Sequence, residues 1–240
     1  MRNYAIILAG GEGHRAGGDV PKQFQEICGC PLVWWAARAF READPGMEIV
    51  MVVHPGFIET FDHLRPGGEP TIPVTLCCGG RSRPESVING LKMVGDMIGR
   101  DGDGVDDAVV LIHDGARPLV DSSLIRRGLS SLRPGAGAIP CVKSVSSLRE
   151  LLDGVEGSRA VDRSRFVEVQ TPQIFHYATI RGAYDAQCGD TSSFTDDASV
   201  AEACGVRIDI FEGDHSNIKV THPEDFYIAE AILARRSGKE

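Results

Sequence analysis

A chain of 240 residues with 42% hydrophobic content can bury one substantial core, so one α/β domain is the default expectation. A formal net charge of −9 argues against a nonspecific nucleic-acid binder, and no apolar run is long enough to span a bilayer. The seven cysteines (Cys28, Cys30, Cys77, Cys78, Cys141, Cys188, Cys204) are odd in number and form no C-x-x-C pair, which disfavours a disulfide framework or a zinc site. With no long apolar stretch of the signal-peptide kind at the N-terminus, the expected compartment is a reducing cytoplasm.

The first predicted strand, residues 4–8, feeds Ala9-Gly10-Gly11-Glu12-Gly13-His14-Arg15, and Pro21-Lys22-Gln23-Phe24 follows. A loop without side chains lets backbone N–H groups approach an anion, and Arg15 and Lys22 would neutralise a polyphosphate. The dinucleotide pattern G-x-G-x-x-G fits only loosely, because Gly17, Gly18 and Pro21 oppose an immediate helix. The Gly-Lys-Ser/Thr of a Walker loop is missing. A helix over 31–42 and a strand over 48–53 come next. A strand over 74–77 then runs into Gly79-Gly80-Arg81-Ser82-Arg83-Pro84-Glu85-Ser86, at the opening of a helix over 85–98. Amides there would accept an anion or a base edge, while Ser82 as a simple helix cap is the plain alternative.

A strand over 108–113 ends in His113-Asp114-Gly115-Ala116-Arg117-Pro118. Ligands of open α/β sheets sit beyond the carboxyl ends of strands. Asp114 would bind ligand hydroxyls or a metal and Arg117 a phosphate; alternatively the two pair within a turn. His113 reads as an orienting or packed histidine rather than a base. After a helix over 122–132 and a strand over 136–142, the segment 143–165 reads as a polar hairpin leaving the core, a lid or a dimer arm. A strand over 166–170 precedes Thr171-Pro172-Gln173. Thr195 is the expected N-cap of a helix over 196–204, which Gly205 closes. A strand over 206–211 follows. Lys219 sits between apolar residues, where it would suit an anion, and Thr221-x-x-Glu224 fits a capping box for the last helix, 223–236. The alternation of strands and helices predicts a mostly parallel sheet with helices on both faces.

Taken together and in this order, Leu8-Ala9-Gly10-Gly11-Glu12-Gly13-x-Arg15, Pro21-Lys22-Gln23, Gly80-x-x-Arg83-x-x-Ser86-Val87, His113-Asp114-Gly115-Ala116-Arg117-Pro118, Thr171-Pro172-Gln173, Thr195-Asp196-Asp197-Ala198 and Asn217-Ile218-Lys219-Val220-Thr221 closely resemble the 2-C-methyl-D-erythritol 4-phosphate cytidylyltransferases. That family belongs to the sugar-phosphate nucleotidyltransferases, and the resemblance runs from about residue 4 to residue 232. It implies a single Rossmann-like domain over 1–240 with a protruding β-arm, about 143–165, used in dimerisation. It implies transfer of CMP from CTP to 2-C-methyl-D-erythritol 4-phosphate with release of pyrophosphate, in the non-mevalonate isoprenoid precursor pathway. The cofactor it implies is Mg²⁺ or another divalent cation, held mainly by the CTP phosphates. The implied assembly is a homodimer, with neither nucleic acid nor membrane as a partner.

Carried over by motif, Arg15, Lys22, Arg163 and Lys219 would be the catalytic cations, with Arg15 and Lys22 on the pentacoordinate transition state. Ala9, Gly10, Gly11, Gly13, Gly80, Ser86 and Gly115 would hold the nucleotide. Asp114, Arg117, Ser147, Thr171, Thr195 and Thr221 would contact the acceptor, and Arg163 would serve the partner's site. The chain departs from the family at Ser146-Ser147, where Asp-Thr is frequent, and at Arg81, where an acid is common. A pentitol-phosphate cytidylyltransferase, such as one for ribitol 5-phosphate, is the nearest alternative. An NAD-dependent dehydrogenase is disfavoured, because His54-Pro55 stands where an acidic residue should end the second strand. A non-catalytic nucleotide-binding module is disfavoured because it has no need of both Arg15 and Lys22.

Overall fold

The computed structural model describes residues 1–11, 21–59, 61, 72–102, 104–152, 157–187 and 194–238. In chain order, β1 (Arg2–Ala9) is followed by a 3-10 turn at Lys22–Phe24, then β2 (Glu26–Ile27), β3 (Cys30–Pro31), α1 (Leu32–Ala43), β4 (Glu48–Val53), β5 (Thr75–Cys78) and α2 (Arg83–Asp101). Next come β6 (Ala108–Asp114), α3 (Ser122–Ser131), β7 (Ala136–Lys143), β8 (Arg149–Leu152), β9 (Gly157–Ala160), β10 (Val167–Val169) and β11 (Gln173–His176). The chain closes with α4 (Tyr177–Ala186), α5 (Asp197–Ala203), β12 (Arg207–Glu212) and α6 (Pro223–Arg236).

The apolar run of β1 is continuous because both of its faces are covered, as parallel strands require. Ala5, Ile7 and Ala9 pack on one side with Val33 and Phe40 of α1 and Leu124 of α3. Tyr4 and Ile6 pack on the other with Val87 and Leu91 of α2 and Ile180 of α4. A third cluster joins Leu119, Val220 and Leu233, seating α6 beside the sheet's end.

The eight-stranded sheet runs β10-β7-β11-β6-β1-β4-β5, with β12 also paired to β7. β1 is parallel to β4 and β6, β4 to β5, and β12 to β7. β11 runs antiparallel to both β6 and β7, and β10 antiparallel to β7. The result is the expected mostly parallel sheet, helices on both faces, with its mixed part around β7. Because β1, β4, β5 and β6 point one way, their carboxyl ends share an edge, and register sets Leu8 beside Asp114. The predicted hairpin is present as β8–β9, a two-stranded sheet of its own with every β8 side chain exposed.

Two caps differ from expectation by one residue. Asp196, not Thr195, caps α5, accepting from Ser199 N at 2.9 Å. At α6 the Asp225 carboxylate, not Glu224, accepts from the backbone of Thr221 and His222, at 2.7 and 2.8 Å. β2, β3, β11 and α4 are additions to the predicted elements.

Candidate active site

A cavity of about 1040 Å³ opens at that shared carboxyl edge. Gly10, Gly11, Lys22, Gly80, Ser86, Asp114, Lys219 and Thr221, all anticipated from sequence, line it. Gly13 and Arg15 lie outside the described residues. Ala9, Gly115, Arg117, Ser147, Arg163, Thr171 and Thr195 do not line this cavity; Arg163 sits by the hairpin and donates to Val145 O.

The start of the glycine loop, residues 9–11, is held from below. Gln23, buried, donates its side-chain amide to Ala9 O at 2.8 Å and Gly11 O at 2.7 Å. Lys22, next to it, reaches across to Val220 O at 2.8 Å. Beyond β5, Gly80 N donates to Ser86 Oγ at 3.0 Å and Arg81 N to Glu85 Oε2 at 2.8 Å. Ser82 does cap α2, accepting from Glu85 N at 3.2 Å. A Cβ at Gly80 would run into the Glu85 side chain, so the loop packs flat on the helix start.

At the end of β6, Gly115 N donates to Leu8 O at 2.9 Å. A Cβ at Gly115 would lie 2.8 Å from that oxygen, so this link between the two strand ends admits only glycine. The Asp114 carboxylate meets Lys219 Nζ at 2.8 Å, Arg83 Nε at 3.5 Å and Arg117 Nε at 3.9 Å. Burial alone would raise its pKa, but Arg83, Lys219 and Arg117 hold it well below the usual carboxylate range. The Asp114–Arg117 turn pair and the ligand-facing position therefore coexist. Arg117 also donates to Asn217 O at 2.7 Å, which ties the β6 turn to the segment of Lys219.

Thr171 stands behind Asp114. Its hydroxyl accepts from Asp114 N at 3.1 Å and, because His113 Nε2 faces the Arg117 carbonyl, which can only accept, gives its own proton to His113 Nδ1 at 2.9 Å. Nε2 of His113 then carries the ring proton and donates to Arg117 O at 3.1 Å. Burial lowers the imidazole pKa to about 4. Both ring nitrogens are occupied inside the protein, so His113 orients the turn and is no base.

Three contributors were not assigned from sequence. Gln23, Arg83 and Asp197 all stand in the quoted motifs, but only the fold shows what they touch. Arg83 and Asp197 are 114 positions apart in the chain.

A doubly covered parallel sheet with a glycine loop, a carboxylate and cations at its carboxyl edge is the architecture of a nucleotide-binding α/β enzyme. Residues 4–235 match the family model for IspD, 2-C-methyl-D-erythritol 4-phosphate cytidylyltransferase, and the chain belongs to that family of nucleotidyltransferases. The enzyme of that name from Cereibacter sphaeroides is 40% identical over 99% of this chain and 100% of its own length. The one from Bacteroides thetaiotaomicron is 36% identical over 97% of this chain and all of its own. The crystal structure of the Thermus thermophilus enzyme superposes with a TM-score of 0.72 at 30% identity, covering 98% of this chain and 100% of that one. The bifunctional IspDF of Campylobacter jejuni superposes at 0.75 and 26% identity, with 95% of this chain matching 54% of that longer one.

Proposed function

We propose that this chain transfers the CMP group of CTP to 2-C-methyl-D-erythritol 4-phosphate and releases pyrophosphate. Family membership over nearly the whole chain, with Lys22, Asp114 and Lys219 converging on one cavity, is the observation that carries the reading. A phosphate oxygen of the acceptor attacks the α-phosphorus of CTP. The bond to the bridging oxygen breaks, and pyrophosphate leaves with its electron pair. The acceptor phosphate is already an anion, so no general base is required, in keeping with a His113 whose nitrogens are both engaged. Catalysis is then positioning plus stabilisation of negative charge.

In this reading Arg15 and Lys22 stabilise the charge that develops around phosphorus. The backbone of Ala9, Gly10, Gly11 and Gly13 receives the triphosphate, and Gly80, Ser86 and Gly115 receive the base and ribose. Lys219 and Thr221 face the acceptor, Arg117 is assigned to it as well, and Asp114 accepts from substrate hydroxyls. Thr171 contributes by fixing Asp114 through its hydroxyl bonds. Among the described residues no three metal-ligating side chains converge. Among the described residues the carboxylates of the cavity wall are Glu85 and Asp114, and Glu85 already accepts from Arg81 N. So sparse an oxygen set fits Mg²⁺, which is held by one or two carboxylates together with substrate phosphates. The CTP phosphates would be its main holders. The ion would neutralise triphosphate charge and ease the departure of pyrophosphate.

The active form in this reading is a cytoplasmic homodimer. Val145, Leu151, Phe166 and Val167 are exposed on and around the hairpin, which supports a partner covering them. Arg163, Ser147 and Thr195 are assigned to the acceptor, Arg163 in the partner's site. Pyrophosphate release with CTP and Mg²⁺ is the test. Release with methylerythritol phosphate alone is expected. Release only with ribitol 5-phosphate would keep the chemistry and change the pathway, and silence with both in folded protein would overturn the reading.

A further inference from the structure

Asp197, at the first turn of α5, is fully buried, and both of its oxygens are used. Oδ1 accepts from the Tyr184 hydroxyl at 2.7 Å and Arg83 Nη1 at 3.1 Å; Oδ2 accepts from Arg83 Nη2 at 2.7 Å. A two-pronged pair of this kind fixes the plane of the guanidinium as well as its place. The remaining nitrogen, Nε, is thereby aimed at Asp114 Oδ1, 3.5 Å away. Lys219 holds the other oxygen of Asp114 at 2.8 Å. An ion pair that served folding alone would have no need to end on the cavity wall. This one does, since Arg83 and Asp114 both line it.

We propose that Asp197 is a positioning residue for the transfer reaction: it aligns Arg83, and Arg83 holds the Asp114 carboxylate in the orientation that receives substrate. The inference rests on the role given to Asp114 above. Asp114 Oδ1 is drawn to Arg83, and Oδ2 to Lys219 and, at 3.9 Å, to Arg117. Release of Arg83 lets the carboxylate swing toward Lys219, away from its ligand. The start of α5 and the start of α2 thus meet on one side chain at the cavity.

Asp197→Asn keeps the shape and removes the charge. Tyr184→Phe removes only the hydroxyl on Asp197 and is the gentler companion. Asp114→Asn is the reference. All three are measured for kcat and for KM of each substrate. Calorimetry measures binding of CTP with Mg²⁺ and, separately, of methylerythritol phosphate. Circular dichroism checks folding at the assay temperature. Asp197→Asn should raise the same constant that Asp114→Asn raises, by about tenfold, and should add nothing in the Asp114→Asn background. Tyr184→Phe should move that constant in the same direction by a smaller factor. A purely structural pair would lower Tm and scale kcat with the folded fraction, leaving both KM values alone; that pattern, or independent multiplication of the two aspartate variants, overturns the proposal. If the wild-type chain does not turn over methylerythritol phosphate, the functional reading falls, and the calorimetric cycle still decides the positioning role. Binding of neither ligand overturns both.

Discussion

Lys22 donates to Val220 O, and the two residues bring the glycine-loop side and the Lys219 segment together. The Lys22 side chain is only half-buried, so trimming it is expected to cost folding little. As a cation on a developing oxyanion its removal should cost far more. Lys22→Ala is expected to lower kcat by about a hundredfold or more while Tm moves only slightly; an unchanged kcat would take Lys22 out of the chemistry. His113 gives a pH prediction. Above about pH 6.5 the imidazole is neutral in both folded and unfolded chains and adds nothing. Below that, the unfolded chain takes up a proton that the folded chain refuses until about pH 4. Stability should therefore fall across this window by on the order of 3 kcal/mol. Asp114, whose pKa is held low by its cations against the pull of burial, adds its own loss at lower pH still. Urea unfolding at stepped pH measures the slope. In His113→Gln it should flatten between 6.5 and 4, and an unaltered slope would assign it to other groups.

At the scale of elements, the hairpin β8–β9 makes its only paired strand contacts with itself among the described residues. Leu151 is 67% exposed and Val145 74%, values that a solvated surface does not favour. Replacing 148–161 by a short turn should leave the sheet folded, by circular dichroism, and shift light scattering from dimer to monomer. A truncated chain that stays dimeric would place the interface elsewhere. Sequence alone shows most of these elements, because buried parallel strands such as β1, β4 and β6 are continuous apolar runs. It misses β11, four residues with Gln173 and His176 at its ends, because so short a segment has no period. It misses α4, whose Tyr177-Ala178-Thr179-Ile180 start carries no capping side chain. The caps slipped by one residue where neighbouring oxygens compete, Thr195 with Asp196 and Glu224 with Asp225. The cavity-lining Gly10, Gly11, Gly80, Lys22 and Lys219 were legible as parts of motifs. The Arg83–Asp197 fork was not, because no local pattern encodes a contact between α2 and α5.

For the whole molecule, sharing of sites between subunits has a direct test. Arg163 stands by the hairpin rather than at its own cavity; if it serves the partner's site, as proposed, Lys22→Ala and Arg163→Ala damage different halves of that site. Each homodimer should be nearly inactive. Subunits mixed after partial unfolding should regain activity, since a mixed dimer holds one site with both residues intact. Mixtures no more active than the separate variants would assign Arg163 to its own subunit.

β1 has β4 on one side, β6 on the other and helices over both faces, and it also carries the glycine loop at its end. Its amide protons can meet solvent only when the entire sheet opens, so their exchange with deuterium should be the slowest in the chain and should report global stability. The floor of the cavity thus shares the lifetime of the native state itself. Substrate should protect amides around Gly79–Ser82 long before it alters the rate at Ile6 or Ile7. Whatever opening and closing accompanies turnover is left to the loops above that floor.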